Sequence, residues 1–130
     1  MGRDISELAS YVQPLCLKFL SAASAAGIPC IIVDTGRTSA EQVQKLAQGV
    51  SWTRHSRHEP QPPEMKSEAF DVCPVAYLSM KGWNPGGPLW PKLGNIGESL
   101  GLEWGGRFPI NPPYGDPGHF QWRKQQPSSV

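Results

Sequence analysis

Apolar and polar positions along the chain follow two different periods, which divide it into a helical beginning and a remainder of short strands among loops. Near the N-terminus Asp4 is placed to cap a short helical turn running to Ser10, with Ile5 and Leu8 on one side. Pro14 suits the first turn of a longer helix, where a missing N–H costs nothing. Leu15, Phe19, Ala22 and Ala26 then recur at helical spacing as one apolar face, and Gly27 is well placed to end the helix. The continuous apolar run Cys30-Ile31-Ile32-Val33, directly after Pro29, predicts a short buried strand. Beyond Asp34-Thr35-Gly36-Arg37, either Thr38 with Glu41 or Ser39 with Gln42 supplies a capping box for a helix that continues through Val43 and Leu46 to Gly49.

The second half reads differently. Residues 52–66 have no period and contain Pro60, Pro62 and Pro63, so they are loop. Ala69-Phe70-Asp71-Val72-Cys73 is a second strand, stopped by Pro74. A Gly/Pro-rich stretch over 82–91 carries Trp83 and Trp90; a third helix follows over 92–100 and ends at Gly101. Leu102-Glu103-Trp104 is a strand and Gly105-Gly106 a turn; a proline-rich loop leads to a last, alternating strand, His119-Phe120-Gln121-Trp122. The polar tail from Gln125 is expected to fray. Helices followed by strands among loops give an α+β fold: a small antiparallel sheet packed with N-terminal helices, with a loop-rich C-terminal half.

Composition narrows the class. At 130 residues the chain is expected to be one domain. With 38% hydrophobic and 18% charged residues it is globular rather than disordered. A formal charge of +1 provides no strong field toward nucleic acid, and the cluster Trp52, Arg54 and Arg57 is too short to change that. No run approaches the roughly 18 apolar residues of a membrane span. Ala22-Ala23-Ser24-Ala25-Ala26 looks like a signal cleavage region, but Asp4 and Glu7 stand where a basic segment belongs and Lys18 interrupts the apolar run. The segment is therefore read as an ordinary helix, and the protein is expected to be made in the cytoplasm without a signal of its own. Cys16, Cys30 and Cys73 form no C-x-x-C pair and cannot all pair internally; they read as small buried hydrophobes in a reducing compartment.

The chemistry concentrates in few residues, because only His55, His58 and His119 are imidazoles. His58, Asp71 and His119 either offer the two imidazoles and one carboxylate of a catalytic zinc site with a fourth position open for water, or are ordinary surface residues, since His and Asp at arbitrary distance occur in any protein. By spacing alone His55 competes with His58. Asp116, separated from His119 by Pro117-Gly118, either aims a carboxylate beside the metal as general base or simply starts a turn. Arg37, at the end of the first strand, either holds a substrate carbonyl or oxyanion, or pairs in a salt bridge near the helix start. A zinc hydrolase closed by these two segments is the reading that uses them all.

The same residues occur in the order of a known family. Thr35-Gly36-Arg37-Thr38 with Glu41-Gln42, then Ser56-Arg57-His58, Ala69-Phe70-Asp71-Val72, Leu102-Glu103-Trp104-Gly105-Gly106, and Asp116 with His119-Phe120 together resemble the zinc peptidases of the D-Ala-D-Ala carboxypeptidase (VanY-like) superfamily. The resemblance covers roughly residues 10–123, leaving 124–130 as a tail. The short length and the Leu-Glu-Trp-Gly-Gly element look most like the L-alanyl-D-glutamate endopeptidases of phage endolysins. The resemblance implies the hedgehog/D-Ala-D-Ala-peptidase fold, with His58, Asp71 and His119 as zinc ligands; the Ser-x-His context selects His58 over His55. It implies Asp116 as catalytic acid/base, Arg37 as the group steadying the substrate carbonyl, and Ser56 as a hydroxyl at the site edge with a substrate-binding or supporting role. Gly36 stands where an aromatic commonly precedes the arginine. The implied substrate is the peptidoglycan stem peptide, cut between L-Ala and D-Glu, by a monomer held in the host cytoplasm until a holin-type release to the wall. Two rival readings are a D,D-carboxypeptidase or dipeptidase removing terminal D-Ala, and a non-catalytic zinc-stabilised binding module.

One departure is large. In the family the first histidine and the aspartate lie closer together, with a glycine between them; here twelve residues, 59–70, separate His58 from Asp71. An inserted, proline-stiffened loop over 59–68 is the simplest account, with a changed site geometry as the alternative; its Glu59, Glu64 and Glu68 could cover the cleft or bias which substrates enter.

Overall fold

Four short strands form one antiparallel sheet in a computed structural model that describes residues 2–36, 57–61 and 64–123. They are β1 (Cys30–Asp34), β2 (Ala69–Pro74), β3 (Leu102–Trp104) and β4 (His119–Trp122), in spatial order β1-β2-β4-β3. Two α-helices, α1 (Gln13–Ala25) and α2 (Leu89–Ser99), pack with the sheet, and short 3-10 turns join the elements. The fold is α+β, as the sequence predicts. Among the described residues no helix is long and apolar enough to cross a membrane. The helix expected after Thr38 and the polar tail lie outside the described residues.

Asp4 caps the first 3-10 turn, Ile5–Glu7, with a complete capping box closed by Glu7. α1 begins with Pro14 in its first turn and ends at Gly27, whose φ of 80° suits glycine. Ile28 N–H then reaches back to Ala23 O at 2.8 Å, satisfying an end carbonyl. The buried face of α1 is Val12, Cys16, Phe19 and Ala23, whereas Ala26 is exposed. This rotates the face away from the Leu15, Phe19, Ala22 and Ala26 stripe expected from sequence. Both sets have helical period and share Phe19; the seat of that ring on Phe120 (4.5 Å) and Phe70 (5.8 Å) decides which neighbours go inward.

Two other elements differ from expectation. Among the described residues β1 is an edge strand paired with β2 alone, with Ile31 exposed and, within the strand, only Asp34 buried. A continuous apolar run therefore marks an edge here rather than a strand covered on both faces. α2 starts at Leu89, not Lys92, because Pro91 is tolerated in a first turn and Trp90 Nε1 fastens that turn by donating to Asn84 O (2.9 Å) and Trp83 O (3.2 Å). Cys16, Cys30 and Cys73 are free thiols, and burial pushes Cys16 and Cys30 up to about 12 and Cys73 up to about 11.

Glycines let α2 approach the sheet. A Cβ on Gly94 would come within 2.4 Å of the Trp104 ring, and one on Gly97 within 2.4 Å of the Phe120 ring. Phe120 is fully buried between Phe19 and Phe70 and has no room to retreat. Gly97→Ala should therefore destabilise the protein: overpacking costs about 1–3 kcal/mol, against about 1 kcal/mol gained in helix propensity. A urea midpoint that rises in this variant would show that the contact is loose.

Candidate metal centre and active site

Pairing across the sheet builds the first half of the site. β2 and β4 run antiparallel with Phe70 opposite Phe120 and Asp71 opposite His119. Because side chains alternate along a strand, seating the two phenylalanines in the core puts Asp71 and His119 together on the other face. His58 arrives from the loop before the insert. Its neighbour Arg57 donates from Nη1 to Glu68 Oε1 and to Trp122 O, both at 3.0 Å, and Tyr11 O–H donates to the other Glu68 oxygen. Glu68 N–H closes the loop by donating to Arg57 O at 2.8 Å. The segment carrying His58 is thus strapped to the start of β2 and the end of β4.

The three side chains meet at one point. His58 Nε2 lies 3.1 Å and His119 Nδ1 lies 3.0 Å from the same oxygen, Asp71 Oδ1, and one ligand atom from each residue falls within 4.8 Å of the others. The outer ring nitrogens are also held. His58 Nδ1 donates to Thr35 O at 3.0 Å, and His119 Nε2 donates to Gln121 Oε1 at 2.9 Å. Ser67 Oγ donates to the same Thr35 carbonyl, at 2.5 Å, and so fixes its direction. With their protons committed outward, the neutral imidazoles turn lone pairs toward a carboxylate. Three electron-rich atoms converging in a buried place need a cation between them.

Titration behaviour follows from that crowding. Burial alone would raise the Asp71 carboxyl, but His58 and His119 outweigh it and hold it well below the usual carboxylate range. Burial likewise lowers His119, yet the hydrogen bond and charge of Asp71, then Asp116 and Gln121, raise it to about 9. In the metal-free protein a proton does the work of a cation. Two imidazoles and one carboxylate, with supported outer nitrogens, fit zinc and leave a fourth position for water or substrate. Exposure has a direction as well: the His58 and His119 side chains are 2% and 7% exposed, Asp71 21% and Asp116 46%.

Asp116 lies beside the cluster, with Oδ2 4.0 Å from His119 Nδ1. Its backbone is fixed by Asp116 N–H to Gly105 O (2.8 Å) and by His119 N–H to Asp116 O (3.1 Å). Gly115 before it takes a φ of 64°, and a Cβ there would meet Gly105 O at 2.5 Å. Trp104 Nε1 anchors the following turn on Pro117 O at 2.8 Å. A cavity of about 330 Å³ shares Asp71 and Asp116 with the site, and Trp83, Trp90, Asn111 and Tyr114 also line it. Sequence reasoning singled out neither Asn111 nor Tyr114 and left Trp83 as part of a loop. The only signal for them was aromatic residues in a Gly/Pro-rich context.

The insert does not behave as expected. None of the described residues among 59–68 lines this cavity. Glu64 instead accepts hydrogen bonds from Ser10 N–H (2.8 Å) and Ser10 O–H, Glu68 holds Tyr11 and Arg57, and Glu59 is buried. Ser10, Tyr11 and Arg57 capture Glu64 and Glu68, so these two glutamates of the insert brace the scaffold. Arg37, Ser56 and His55 lie outside the described residues.

A sequence family described as D-alanyl-D-alanine carboxypeptidase matches residues 51–122, which carry His58, Asp71, Asp116 and His119. The chain belongs to this peptidase family. Solved structures show the same fold. The L-Ala D-Glu endopeptidase ChiX of Serratia marcescens is 20% identical, with a TM-score of 0.62 over 92% of this chain and 83% of that one. VanYB in complex with D-alanine-D-alanine is 16% identical (TM-score 0.54; 88% of this chain, 71% of that). A mutant of the vancomycin-resistance D,D-pentapeptidase VanY, in complex with Zn(II), is 17% identical (TM-score 0.52; 88% and 72%). No curated protein matches the chain. The VanY-like membership expected from the ordered motifs is thus the one found.

The perturbed groups predict how pH acts on the peptidase. His119 titrates above its unfolded value of about 6.5, so its contribution is full below that pH and is lost as pH rises through about 9. Asp71 is depressed, so its contribution is present above about pH 4 and is lost as pH falls below it. Chelator-treated protein should therefore lose stability between about pH 6.5 and 9. Zinc, which needs deprotonated ligands, should raise the melting temperature more at about pH 8 than at about pH 5.5. A zinc-induced shift equal at both would contradict this account of the site.

Proposed function

We propose that this peptidase is a zinc-dependent peptidoglycan endopeptidase that hydrolyses the L-Ala–D-Glu bond of the stem peptide, as a phage-type endolysin in host lysis. The observation that carries the reading is the convergence of His58, Asp71 and His119 on one point, with Asp116 beside that point and lining a cavity. Zinc held by the three residues supplies Lewis-acid polarisation of water and carbonyl. Asp116 acts as the base. It takes the proton from the attacking water as the new C–O bond forms, then delivers it to the leaving nitrogen as the C–N bond breaks. Arg37 is assigned to the substrate carbonyl oxygen, where a guanidinium stabilises the developing oxyanion, and Ser56 to a substrate hydrogen bond at the edge.

Two things support an internal bond. ChiX, an L-Ala D-Glu endopeptidase, shares the fold over most of both chains. Among the described residues the cavity wall carries no basic side chain, whereas removal of a terminal residue calls for a partner to the free C-terminal carboxylate. Removal of terminal D-Ala is the second reading, favoured by the description of the family and by the VanY structures. As a lysis enzyme the protein would act as a monomer, waiting in the host cytoplasm for release to the wall.

Mass spectrometry of digested sacculi distinguishes the bonds. The expected fragments end at L-Ala and begin at D-Glu, and they disappear with chelator; free D-Ala instead would overturn the assignment. Asp116→Ala should keep its zinc while kcat/KM on muropeptides falls by about 10²–10⁴-fold. Near-normal cleavage by that variant would remove Asp116 from the mechanism. Bound zinc with no turnover on any wall peptide would favour a binding module.

A further inference from the structure

Trp83 sits where the backbone resists it. Gly82, Trp83 and Asn84 take φ values of 59°, 60° and 53°, three consecutive left-handed residues, of which only the glycine adopts that conformation freely. The strain is held by Trp90, whose indole N–H reaches the carbonyls of Trp83 and Asn84. The result is a tryptophan that is 40% exposed although a large apolar ring gains by burial. Such strain persists where the surrounding structure maintains it, and it concentrates at ligand sites. Tyr114, 47% exposed, lines the same cavity and lies against Gly86, where a Cβ would come within 2.8 Å of its hydroxyl. The Asn111 amide belongs to the same wall.

Charge decides which part of a substrate this cavity admits. Away from Asp71, which belongs to the metal position, its lining carries the carboxylate of Asp116 and otherwise aromatic, aliphatic, glycine, proline and amide residues, so among the described residues nothing there pairs with an anionic group. In a stem peptide cut between L-Ala and D-Glu, the free carboxylates all lie on the amine side of the bond. The acyl side is L-Ala joined through a lactyl ether to an uncharged sugar. A pyranose ring presents an apolar C–H face that packs on aromatic rings and hydroxyls that suit an amide such as Asn111. The cavity, about 330 Å³, is at the small end of the range for ligand sites and suits one ring-sized group.

We propose that the cavity is a saccharide subsite, in which Trp83 and Tyr114 stack the N-acetylmuramoyl ring that carries the stem peptide. This rests on the L-Ala–D-Glu reading, and it makes the enzyme specific for peptide still attached to glycan. Trp83 and Tyr114 are then specificity-determining residues on the acyl side of the scissile bond.

Two measurements test it, and they separate this proposal from the choice of bond. In the first, N-acetylmuramoyl-L-alanine is titrated into the zinc-loaded protein and followed by indole N–H shifts. Wild type should bind; Trp83→Ala and Tyr114→Ala should each bind about tenfold more weakly, the loss of one ring contact. Trp83→Tyr should retain most of the binding. No binding by wild type, or binding by both alanine variants as tight as that of wild type, overturns the subsite whichever bond is cut. In the second, kcat/KM is compared for N-acetylmuramoyl-stem peptide and the same peptide without sugar. Wild type should prefer the sugar-bearing substrate by about tenfold or more, and the ratio should fall toward one in both alanine variants. Equal cleavage of the two substrates by wild type would mean that the cavity takes a peptide side chain, and would overturn the proposal.

Discussion

Phe70 and Phe120 face each other across β2 and β4, and their burial against Phe19 puts Asp71 opposite His119 on the other face of the sheet. A slip of one residue would turn both rings to solvent, at about 1.5–3 kcal/mol for each, and would send the two ligands into the core. The register of the candidate metal centre is thus set by hydrophobic packing, which would bring Asp71 and His119 together whether or not a cation lies between them. α2 enforces the same register from the core side. Gly97 allows it to lie directly on the Phe120 ring, and Gly94 allows it to lie on Trp104.

The third ligand has to come from outside the sheet, and the chain uses polar groups to bring it in. Thr35 O receives His58 Nδ1 and Ser67 Oγ, while Thr35 N–H is held by Gly2 O at 2.7 Å and its hydroxyl by Glu7. Arg57 is gripped by Glu68 and Trp122 O, with Tyr11 packed edge-on against Trp122 at 4.8 Å. The N-terminal segment, which carries no catalytic group, therefore orients a ligand from behind. These outer contacts hold one proton on each imidazole and leave the inner nitrogen of each facing the Asp71 carboxylate. A metal bound here would take the place of the proton that His119 otherwise holds beside Asp71, which would couple stability to metal loading.

Much of this was legible in the residues. The strands Ala69-Phe70-Asp71-Val72-Cys73 and His119-Phe120-Gln121-Trp122 alternate or run apolar between clear punctuators, and they carry Asp71 and His119 to where the structure brings them together. Pro14 and Gly27 mark α1 by local chemistry, which needs no knowledge of the fold. What failed depended on tertiary context. The face of α1 was ambiguous because small alanines fit either rotation, and only the seat of Phe19 decides. The edge position of β1 depends on the order of strands, which an apolar run does not encode. The wall formed by Trp83, Asn111 and Tyr114 depends on left-handed backbone at non-glycine residues, for which spacing offers no signal. The insert was read by its charge and misplaced, because the partners of Glu64 and Glu68 are Ser10, Tyr11 and Arg57; the first two lie over fifty residues earlier.

The central claim is that His58, Asp71 and His119 together hold one zinc ion. X-ray absorption at the zinc edge of the loaded protein tests it most directly. The account predicts one zinc per chain with a first shell of nitrogen and oxygen only, at about 2.0–2.2 Å, and the multiple-scattering pattern of two imidazoles. A sulfur shell near 2.3 Å, which would place the metal on the cysteines, or a spectrum unchanged in His58→Ala, would contradict it.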